Sequence, residues 1–564
     1  MTRPEPSRLI ARFGVWVVAR GWVHVLLLTG AGLFLYPLLW MACTSLKTDE
    51  EMADTRLLPR WPTFRASSPA VRTATTLTRP EAVAARAWPE LSAQLLARAQ
   101  LAVAHRLALS PPVPVDQEAW SRAAATLAVG QALQRIPSTS CAHDDTALAA
   151  VAAQLDDAVI DQALDGSLAR CELQGLQLYT DDAQLYPLYS GTTLQGALTV
   201  ASGHAQLVPV ASGVRIDYAF SSGADAPVVL AIPFTLPTGV QAGQLHKLVL
   251  SLRNDDSWHR ITASLVCGGR QWVSTRVTPL AQNRQTTITF QPPGFDDATF
   301  KARLWVPLRD DGPSPAGPAD ACCLRIEIHP SSTLQAIWQK CRHNYDLAFH
   351  AVPFWTYLGN SVILVLLTVV GSLFSSAFVA YAFARLRWPG RAISLTVMLA
   401  TMMLPSQVTM IPSFLIWREL GWYNTLNPLW IGAWTGNAFF IFLMVQHLRT
   451  IPRELEEAAR IDGLNTLQTW WYIIVPQLRP TLAAIAIMSF MNAWNDFMGP
   501  LIYLRDQARF PLSLGLFGMK VEDTGTNFGL MMAGDLLLTL PAILVFFCFQ
   551  RYFIQGMTVS GMKG

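Results

Sequence analysis

Charged residues are scarce in this sequence of 564 residues. Asp, Glu, Lys and Arg together make up only 14% of the chain, whereas soluble globular domains contain about 25%. Hydrophobic residues make up 51%, and the 19 Trp and 26 Phe provide more buriable surface than a disordered chain has. The composition therefore excludes an ordinary soluble enzyme and a disordered chain, and it indicates a membrane protein with a soluble part.

Signals for nucleic-acid, nucleotide and metal binding are also missing. Basic and acidic residues nearly balance, at 42 against 39, and no basic tract stands out, which argues against nucleic acid as a partner. The pattern G-x-x-x-x-G-K-[ST] does not occur, so we expect that the chain does not hydrolyse ATP itself. No two cysteines have zinc-finger spacing, and we predict no metal site and no cofactor bound by this chain.

Long runs without charge occur near both ends of the chain. A transmembrane helix needs about 20 mostly apolar residues, and the last two runs reach that length when they extend past Asp496 and start before Asp535. We therefore predict six transmembrane helices, one before residue 60 and five after residue 350. The uncharged runs are 25–45, 351–384, 392–417, 420–446, 480–495 and 536–550.

The positions of Lys and Arg predict the orientation of these helices, because basic residues concentrate in cytoplasmic loops. If the six helices alternate, the basic clusters all fall on one side, so both termini are expected in the cytoplasm and residues 48–350 outside it. The first run is long and lacks a convincing cleavage site, which favours an uncleaved anchor over a signal peptide. The basic residues are Arg3, Arg8, Arg12, Arg20, Arg385, Arg387, Arg391, Arg449, Arg453, Arg460, Arg479, Arg551 and Lys563.

The external region has two parts with different patterns. Residues 65–170 are rich in Ala with helical spacing, and Pro111, Pro112 and Pro114 interrupt them, so several helices are expected. Residues 171–342 alternate apolar and polar residues in short runs separated by turn-rich joints. The sequence predicts an extracytoplasmic α+β insert, in which a helical part is followed by an antiparallel β-sandwich.

Six of the eight cysteines lie in this external region. Six cysteines allow 15 full pairings, and an oxidising compartment permits disulfides. Disulfides and buried thiols are both open alternatives. The six are Cys141, Cys171, Cys267, Cys322, Cys323 and Cys341.

The loop between the fourth and fifth predicted helices carries the most specific motif. It contains a polar, helix-forming stretch and then Gly463, a residue suited to the left-handed conformation that ends a helix. Pro476 marks where the chain turns back towards the membrane. A short amphipathic helix across the cytoplasmic face is a structure that a neighbouring protein can bind. The stretch reads Glu456-Glu457-Ala458-Ala459-Arg460-Ile461-Asp462-Gly463, followed by Ile473-Ile474-Val475-Pro476.

The spacing of these residues resembles the EAA loop of binding-protein-dependent ABC importer permeases. Further motifs in residues 20–64 and 343–564 are similar to the sugar-importing branch, specifically its maltose-type, MalG-like subunit. Residues 65–342 interrupt the family pattern as one large insert. The further motifs are Tyr36-Pro37-Leu38-Leu39-Trp40, Ser45-Leu46-Lys47-Thr48, Asn360-Ser361, Ala380-Tyr381-Ala382-Phe383-Ala384-Arg385, Met403-Leu404-Pro405, Trp494-Asn495-Asp496-Phe497 and Gln550-Arg551-Tyr552-Phe553-Ile554-Gln555-Gly556.

The resemblance implies an α-helical membrane protein of the ABC importer permease type, which forms half of a channel with a second, homologous permease in the lipid bilayer. It also implies two copies of a cytoplasmic ATPase, which use ATP and Mg²⁺, and an extracytoplasmic sugar-binding protein. Residues 1–64 and 343–564 would form the permease core in the inner membrane. The residues that would couple it to the ATPase are Glu456, Glu457, Ala458, Ala459, Asp462, Gly463 and Pro476.

Other polar and aromatic residues are weaker candidates. Polar groups at the end of the fifth predicted helix and early in the sixth either line a translocation path or serve as structural and interfacial groups. Tryptophans of the insert either stack on sugar rings or pack in its core. The path candidates are Asn495, Asp496 and Asp535, and the stacking candidates are Trp258, Trp272 and Trp305.

Two functions remain open for the chain as a whole. It is either a transporter subunit whose insert docks the binding protein or holds glycan, or a membrane-anchored, glycan-active enzyme with its active domain in the insert. Glycosidases need two carboxylates about 5 to 9.5 Å apart across a cleft, so the two functions are discriminated by whether a cleft in the insert carries paired carboxylates or only a flat aromatic face. The insert also has adjacent acidic pairs, which are usually turn or cap residues. The pairs are Asp156-Asp157, Asp181-Asp182, Asp255-Asp256 and Asp296-Asp297.

The predicted topology is testable with a membrane-impermeant thiol reagent in a background without reactive native cysteines. A cysteine introduced at Ser221 is expected to react from outside the cell, whereas a cysteine at Asn465 is expected to react only after the cytoplasmic face is opened. The reverse labelling pattern would overturn the orientation.

Overall fold

The computed structural model divides into two compact units. The described residues up to Pro59 and from His343 onward form one, called here the membrane unit, and those from Arg60 to Arg342 form the other, called the insert unit. The structure describes residues 6–52, 56–72, 77, 79–80, 83, 86–109, 113–136, 144–181, 184–291, 305–313, 321–517 and 527–558.

The membrane unit is built from helices. The helix Thr333–Ala351 contains the boundary between the two units and leads into it. A π-helical turn, Trp470–Ile474, interrupts the region after residue 465. The other helices are Pro6–Ser45, Asp49–Met52, Phe354–Arg385, Arg391–Thr401, Ser406–Glu419, Asn427–Thr435, Ala438–Thr450, Glu454–Ile461, Thr466–Thr469, Val475–Gln477, Arg479–Trp494, Met498–Tyr503, Leu512–Phe517 and Phe528–Thr558.

Within the described residues, four helical segments are long and apolar enough to cross a membrane. A fifth is added if Thr466–Gln477 and Arg479–Trp494, which meet at an angle of 79°, count as one span. The four are Trp22–Ser45, Phe354–Arg385, Asn427–Thr450 and Phe528–Gln550. The chain is therefore an α-helical, multi-pass membrane protein, and the count of six spans stays a prediction.

The structure divides the third predicted span, residues 392–417, into two shorter helices. One helix ends at Thr401 and the next begins at Ser406. Pro405 lies between them, lacks an N–H group and disfavours the helical conformation of the residue before it. The apolar run alone did not reveal this break, because hydropathy does not register the missing hydrogen bond.

The helix Phe354–Arg385 is the centre of packing in the membrane unit. Three other helices, Asn427–Thr435, Ala438–Thr450 and Arg479–Trp494, lie against it. Small residues allow the close approach: a Cβ atom at Gly371 would lie 2.4 Å from Cδ1 of Trp434. Such small residues are typical of contacts between membrane helices, where apolar burial gives no driving force.

Hydroxyl groups connect the same helices. The Ser375 hydroxyl donates a hydrogen bond to the carbonyl of Ala433 at 2.8 Å, and the hydroxyls of Ser489 and Ser372 lie 3.0 Å apart. In a hydrocarbon environment these groups have no water to bond, so they bond across helices.

Within the membrane unit, residues just before the insert contact residues just after it. The buried side chain of Asn344 donates hydrogen bonds from Nδ2 to the carbonyls of Ser45 at 2.7 Å and Lys47 at 2.9 Å. The hydroxyls of Ser45 and Tyr345 also lie 2.8 Å apart. Residues on either side of the insert in sequence are thus held together inside one unit.

The first part of the insert unit is helical, as the Ala-rich spacing predicts. Side-chain caps begin two of its helices: Asp116 accepts the backbone N–H groups of Glu118 and Ala119, and Asp156 accepts that of Val159 at 2.7 Å. The helices are Trp88–Ala108, Gln117–Arg135, Asp144–Gln154 and Asp157–Ser167.

The second part of the insert unit is rich in strands. Nearly all described pairings are antiparallel, but Gln285–Gln291 and Trp305–Pro313 pair in parallel, which differs from the wholly antiparallel prediction. The strands are Ser67–Ser68, Ala70–Val71, Leu168–Ala169, Cys171–Thr180, Leu185–Ser190, Thr199–Ser202, Ala205–Val210, Gly213–Ala219, Val228–Thr235, Leu245–Arg253, Arg260–Cys267, Arg270–Ser274, Thr278–Pro279, Gln285–Gln291, Trp305–Pro313 and Ala321–His329.

Strand alternation builds the core of this part. Leu248, Leu250 and Leu252 are each fully buried, and one buried cluster includes strands on both sides of the parallel pair. Because successive strand residues point to opposite faces, a run of alternate leucines faces one core. Ser251, between the last two leucines, lies on the other face and is half-buried, and Val249 on that face is buried as well.

One disulfide joins neighbouring strands of the insert unit, between Cys267 and Cys322. Cys171 is a buried free thiol, and Cys323 and Cys341 are half-buried free thiols. Both alternatives for the cysteines are thus represented, while Cys141 lies outside the described residues.

Candidate functional site

The motif stretch of the membrane unit forms a short helix, Glu454–Ile461, called here the EAA helix. Acidic residues occupy its first turn, where they stabilise the positive end of the helix dipole. Its end is a Schellman motif: the N–H of Gly463 donates to the carbonyl of Arg460 at 3.0 Å, and that of Leu464 to Ala459 at 3.0 Å. Gly463 has φ +86°, so the predicted left-handed helix end is confirmed.

The EAA helix has one buried and one exposed face. Glu456 and Ala459 are buried, whereas Glu457, Ala458 and Asp462 are exposed. The outer face also carries Ile461, whose side chain is 86% exposed. On this face an exposed apolar side chain therefore lies beside the carboxylates of Glu457 and Asp462.

A buried ion pair fixes the inner face of the EAA helix. Arg385, the last residue of the central helix Phe354–Arg385, places its Nε 2.8 Å from Oε1 of Glu456, and both side chains are at most 10% exposed. Arg385 Nη2 also donates to the carbonyl of Ile451 at 2.6 Å, just before the EAA helix begins. Glu456 therefore acts as the anchor of the EAA helix.

Sequence reasoning missed Arg385 as a functional partner. The residue was visible as the first charge after a long apolar run and as the end of a family motif. Its partner lies 71 positions further along the chain, so only packing brings the two charges together.

The segment after Gly463 has its own cap and its own contact with the central helix. Asn465 and Gln468 cap each other's backbone N–H groups at 2.8 and 2.9 Å. The indole of Trp470 donates to the carbonyl of Ala377 at 3.3 Å, which ties the segment to the central helix. Pro476 lies in Val475–Gln477, just before the chain bends, rather than beside the EAA helix.

Asn495 and Asp496 make local, helix-end contacts. Asn495 Nδ2 donates to the carbonyl of Met491 at 2.9 Å, and Asp496 Oδ1 accepts the N–H of Gly499 at 3.1 Å. The Ser513 hydroxyl donates to the Asp496 carbonyl at 2.6 Å. These contacts favour the structural alternative for both residues.

Asp535 is half-buried in the helix Phe528–Thr558. Its backbone carbonyl accepts a hydrogen bond from the Thr539 hydroxyl at 2.7 Å. Its role as a path residue stays a prediction.

The tryptophans of the insert unit lie in different surroundings. Trp258 is only 3% exposed and packs with Ala281 and Ala336, so its ring has no free face for a sugar, and the stacking prediction is wrong for it. Trp272 is half-buried against the strand core. Trp305 begins a strand, and its side chain lies outside the described residues.

The described acidic pairs serve the fold. Asp156 is a helix cap. Asp255 is buried, accepts the Tyr218 hydroxyl and accepts the N–H of Ser257 at 3.1 Å. Asp256 lies 3.6 Å from Arg65. Asp182, Asp296 and Asp297 lie outside the described residues.

Known proteins share the membrane part of the chain. Residues 371–559 match the family described as "Binding-protein-dependent transport system inner membrane component". The arabinooligosaccharides transport system permease protein AraQ of Halalkalibacterium halodurans is 36% identical over 211 residues, which are 37% of this chain and 75% of that protein. The chain belongs to this family. It is therefore an inner-membrane permease subunit, and not an enzyme.

Further relatives match the permease to a similar extent. The lactose transport system permease protein LacG of Rhizobium radiobacter is 36% identical over 207 residues, which are 37% of this chain and 74% of that protein. Among solved structures, a bacterial ABC transporter involved in the import of the acidic polysaccharide alginate matches with 30% identity and a TM-score of 0.34, over 37% of this chain and 79% of that chain.

The buried ion pair generates a stability prediction. Arg385→Ala or Glu456→Ala alone is expected to lower the free energy of unfolding by about 3–5 kcal/mol, because each leaves an uncompensated buried charge. The double variant Arg385→Met/Glu456→Leu is expected to lose much less. Denaturant titration of the purified permease in detergent measures these values.

The exposed neighbour Glu457 provides the matched control. Glu457→Ala is expected to change the free energy of unfolding by at most about 0.5 kcal/mol. Additive losses in the double variant would show that Arg385 and Glu456 do not act as a pair.

Proposed function

We propose that this permease is the membrane subunit of an ATP-driven importer for a sugar or oligosaccharide, and that the EAA helix couples it to a separate ATPase. The observation that carries the proposal is the EAA helix itself, fixed on one face by Arg385 and exposed on the other. Relatives named for arabinooligosaccharide and lactose transport support the substrate class.

The surface chemistry of the EAA helix suits a protein partner. Ala458 permits close approach of a neighbouring backbone, Ile461 offers an apolar contact, and Glu457 and Asp462 offer acceptors. In this proposal the partner ATPase uses ATP and Mg²⁺, and this chain binds no cofactor of its own.

The contacts of Glu456 suggest how movement reaches the membrane. A force on the EAA helix acts on Arg385 at the end of the central helix through a buried ion pair. A buried pair resists separation because either charge alone is costly to leave unpaired. The central helix, against which three others pack, would then move as part of a rigid group.

The complete importer in this proposal contains a second, homologous permease, two copies of the ATPase and an extracytoplasmic sugar-binding protein. Both termini and the EAA helix face the cytoplasm, and the insert unit lies outside. Asn495, Asp496 and Asp535 would lie near the translocation path. Pro476 would maintain the turn after the coupling region.

Gly463 provides the sharpest test of coupling. Gly463→Pro removes the N–H that bonds Arg460 and cannot adopt φ +86°, at a cost of about 3 kcal/mol or more. We expect sugar uptake and substrate-stimulated ATP hydrolysis in proteoliposomes to fall at least about tenfold, with normal membrane insertion.

Gly463→Asn is the control, because Asn tolerates the left-handed region and keeps the N–H. It is expected to retain most activity. Unchanged uptake in Gly463→Pro and in Glu457→Lys would refute coupling through this helix.

The insert unit is proposed to serve recognition rather than the pump. Asn344, Ser45 and Lys47 hold the membrane unit together without it, and loop-closure cost grows only logarithmically with insert length. Joining Pro59 to His343 through a short Gly/Ser linker should leave a complex that assembles and hydrolyses ATP.

In that deletion variant, the apparent affinity for the loaded binding protein or for an extended glycan is expected to fall about tenfold, or ~1.4 kcal/mol. Titration of the reconstituted complex measures it. Failure to assemble with the second permease would assign the insert a structural role instead.

A further inference from the structure

The insert unit contains a cleft of about 520 Å³ between its helical and strand-rich parts. The helix Asp157–Ser167 contributes one wall, and the strands Ala205–Val210 and Gly213–Ala219 contribute another. Sites for small molecules typically measure about 300–1,000 Å³, so the cleft has the size for a small ligand. None of the tryptophans singled out from the sequence lines it.

The charged side chains of the cleft are held in fixed orientations. Asp161 accepts two hydrogen bonds from Arg106, at 2.7 and 2.6 Å. Its neighbour one turn on, Asp165, pairs with Arg170 and Arg253, each at 2.7 Å. Such bidentate and bridged arrangements fix the geometry of both partners.

The polar side chains of the opposite wall are also held in fixed orientations by hydrogen bonds. Arg215 donates from Nε and Nη2 to Asp217 at 2.7 and 2.9 Å, which leaves Nη1 for a further acceptor. Gln195 donates from Nε2 to the carbonyls of Val210 and Gly213 at 3.1 and 3.4 Å, which leaves its Oε1 as an acceptor. Polar groups held in this way lose little side-chain entropy when a ligand binds.

The charged residues that line the cleft balance. Asp161 and Asp165 carry two negative charges, and Arg170 and Arg215 carry two positive charges. Each of the four is ion-paired, and their further partners are Arg106, Arg253, Glu172 and Asp217. Arg106, which is not part of the lining, also lies 3.8 Å from Asp157. A charged ligand would therefore meet no unpaired charge of opposite sign on the lining.

A neutral ligand rich in hydroxyl groups fits this arrangement. Each paired carboxylate retains lone pairs for hydroxyl donors, and hydrogen bonds to ionised groups are stronger than neutral ones. Val208, Pro209 and Trp120 add apolar wall, which suits the C–H faces of a sugar ring. We infer that this cleft binds an uncharged carbohydrate of one or two sugar units, an inference that rests on the proposed sugar importer.

The contacts of the carboxylates favour a binding role for the cleft over a hydrolytic one. The hydrogen bonds from Arg106 lower the pKa of Asp161, whereas a glycosidase acid needs a raised pKa. Asp165 bonds a guanidinium through each of its two oxygens. The cleft is thus a binding site, and its carboxylates act as hydrogen-bond acceptors.

The test measures sugar binding to the full-length permease in lipid nanodiscs, without ATPase or binding protein, by calorimetry. The probes are lactose, arabinobiose and, as a charged control, an alginate trisaccharide. Thr192→Trp and Ala211→Trp each fill the cleft from an exposed position. His204→Trp, an exposed turn residue outside the cleft, is the matched control.

We expect saturable binding of at least one neutral sugar, weakened about tenfold or more by each filling variant and unchanged by His204→Trp. The unfolding temperature of each variant is measured in parallel, and either filling variant that folds normally suffices. Absence of binding, retained binding in the folded filling variants, or tighter binding of the alginate trisaccharide would overturn the inference.

Uptake by the reconstituted complex distinguishes this inference from the proposed function. Sugar uptake without binding at the cleft overturns the cleft assignment alone. Binding that the filling variants abolish, in a complex that imports no sugar, supports the cleft assignment and overturns the importer proposal alone.

Discussion

The fold of the membrane unit depends on one constraint, the absence of water in the bilayer core. Each backbone N–H and carbonyl there must bond within the protein, so every apolar run becomes helix and every break needs a replacement partner. The contact of Ser375 with Ala433 supplies such a partner. At Pro405, which has no N–H group to donate, one helix has ended and the next begins.

The ion pair between Arg385 and Glu456 shows the same requirement at the end of the central helix: a buried charge needs a partner. A buried charge pair contributes little net stability, yet it is costly to separate. It therefore suits a joint that must transmit displacement without opening. The Schellman end at Gly463 gives the EAA helix a defined length, so its exposed face has a fixed position relative to that joint. The proposed coupling thus depends on a rigid connection between the EAA helix and the central helix.

The insert unit differs from the membrane unit in its charged residues. Apolar runs in the membrane unit lack charges, whereas charged side chains of the insert unit cluster in ion pairs. Its strand core forms by apolar alternation, and one disulfide, between Cys267 and Cys322, links neighbouring strands. Between core and helices, paired Asp and Arg side chains line a cleft. The permease thus combines a helical membrane unit, which its relatives share, with an insert unit whose cleft contains fixed polar groups.

The sequence by itself determined the features that short-range physics controls: apolar runs long enough for helices, the left-handed residue at Gly463, and the strand alternation that places Leu248 and Leu250 in a core. The tertiary structure alone decided which distant charges meet, as for Arg385 and Glu456, and that Trp258 is buried rather than available to a ligand. The reason is physical. Helix and strand patterns depend on neighbours a few residues away, whereas burial and ion pairing depend on packing between segments far apart in the chain.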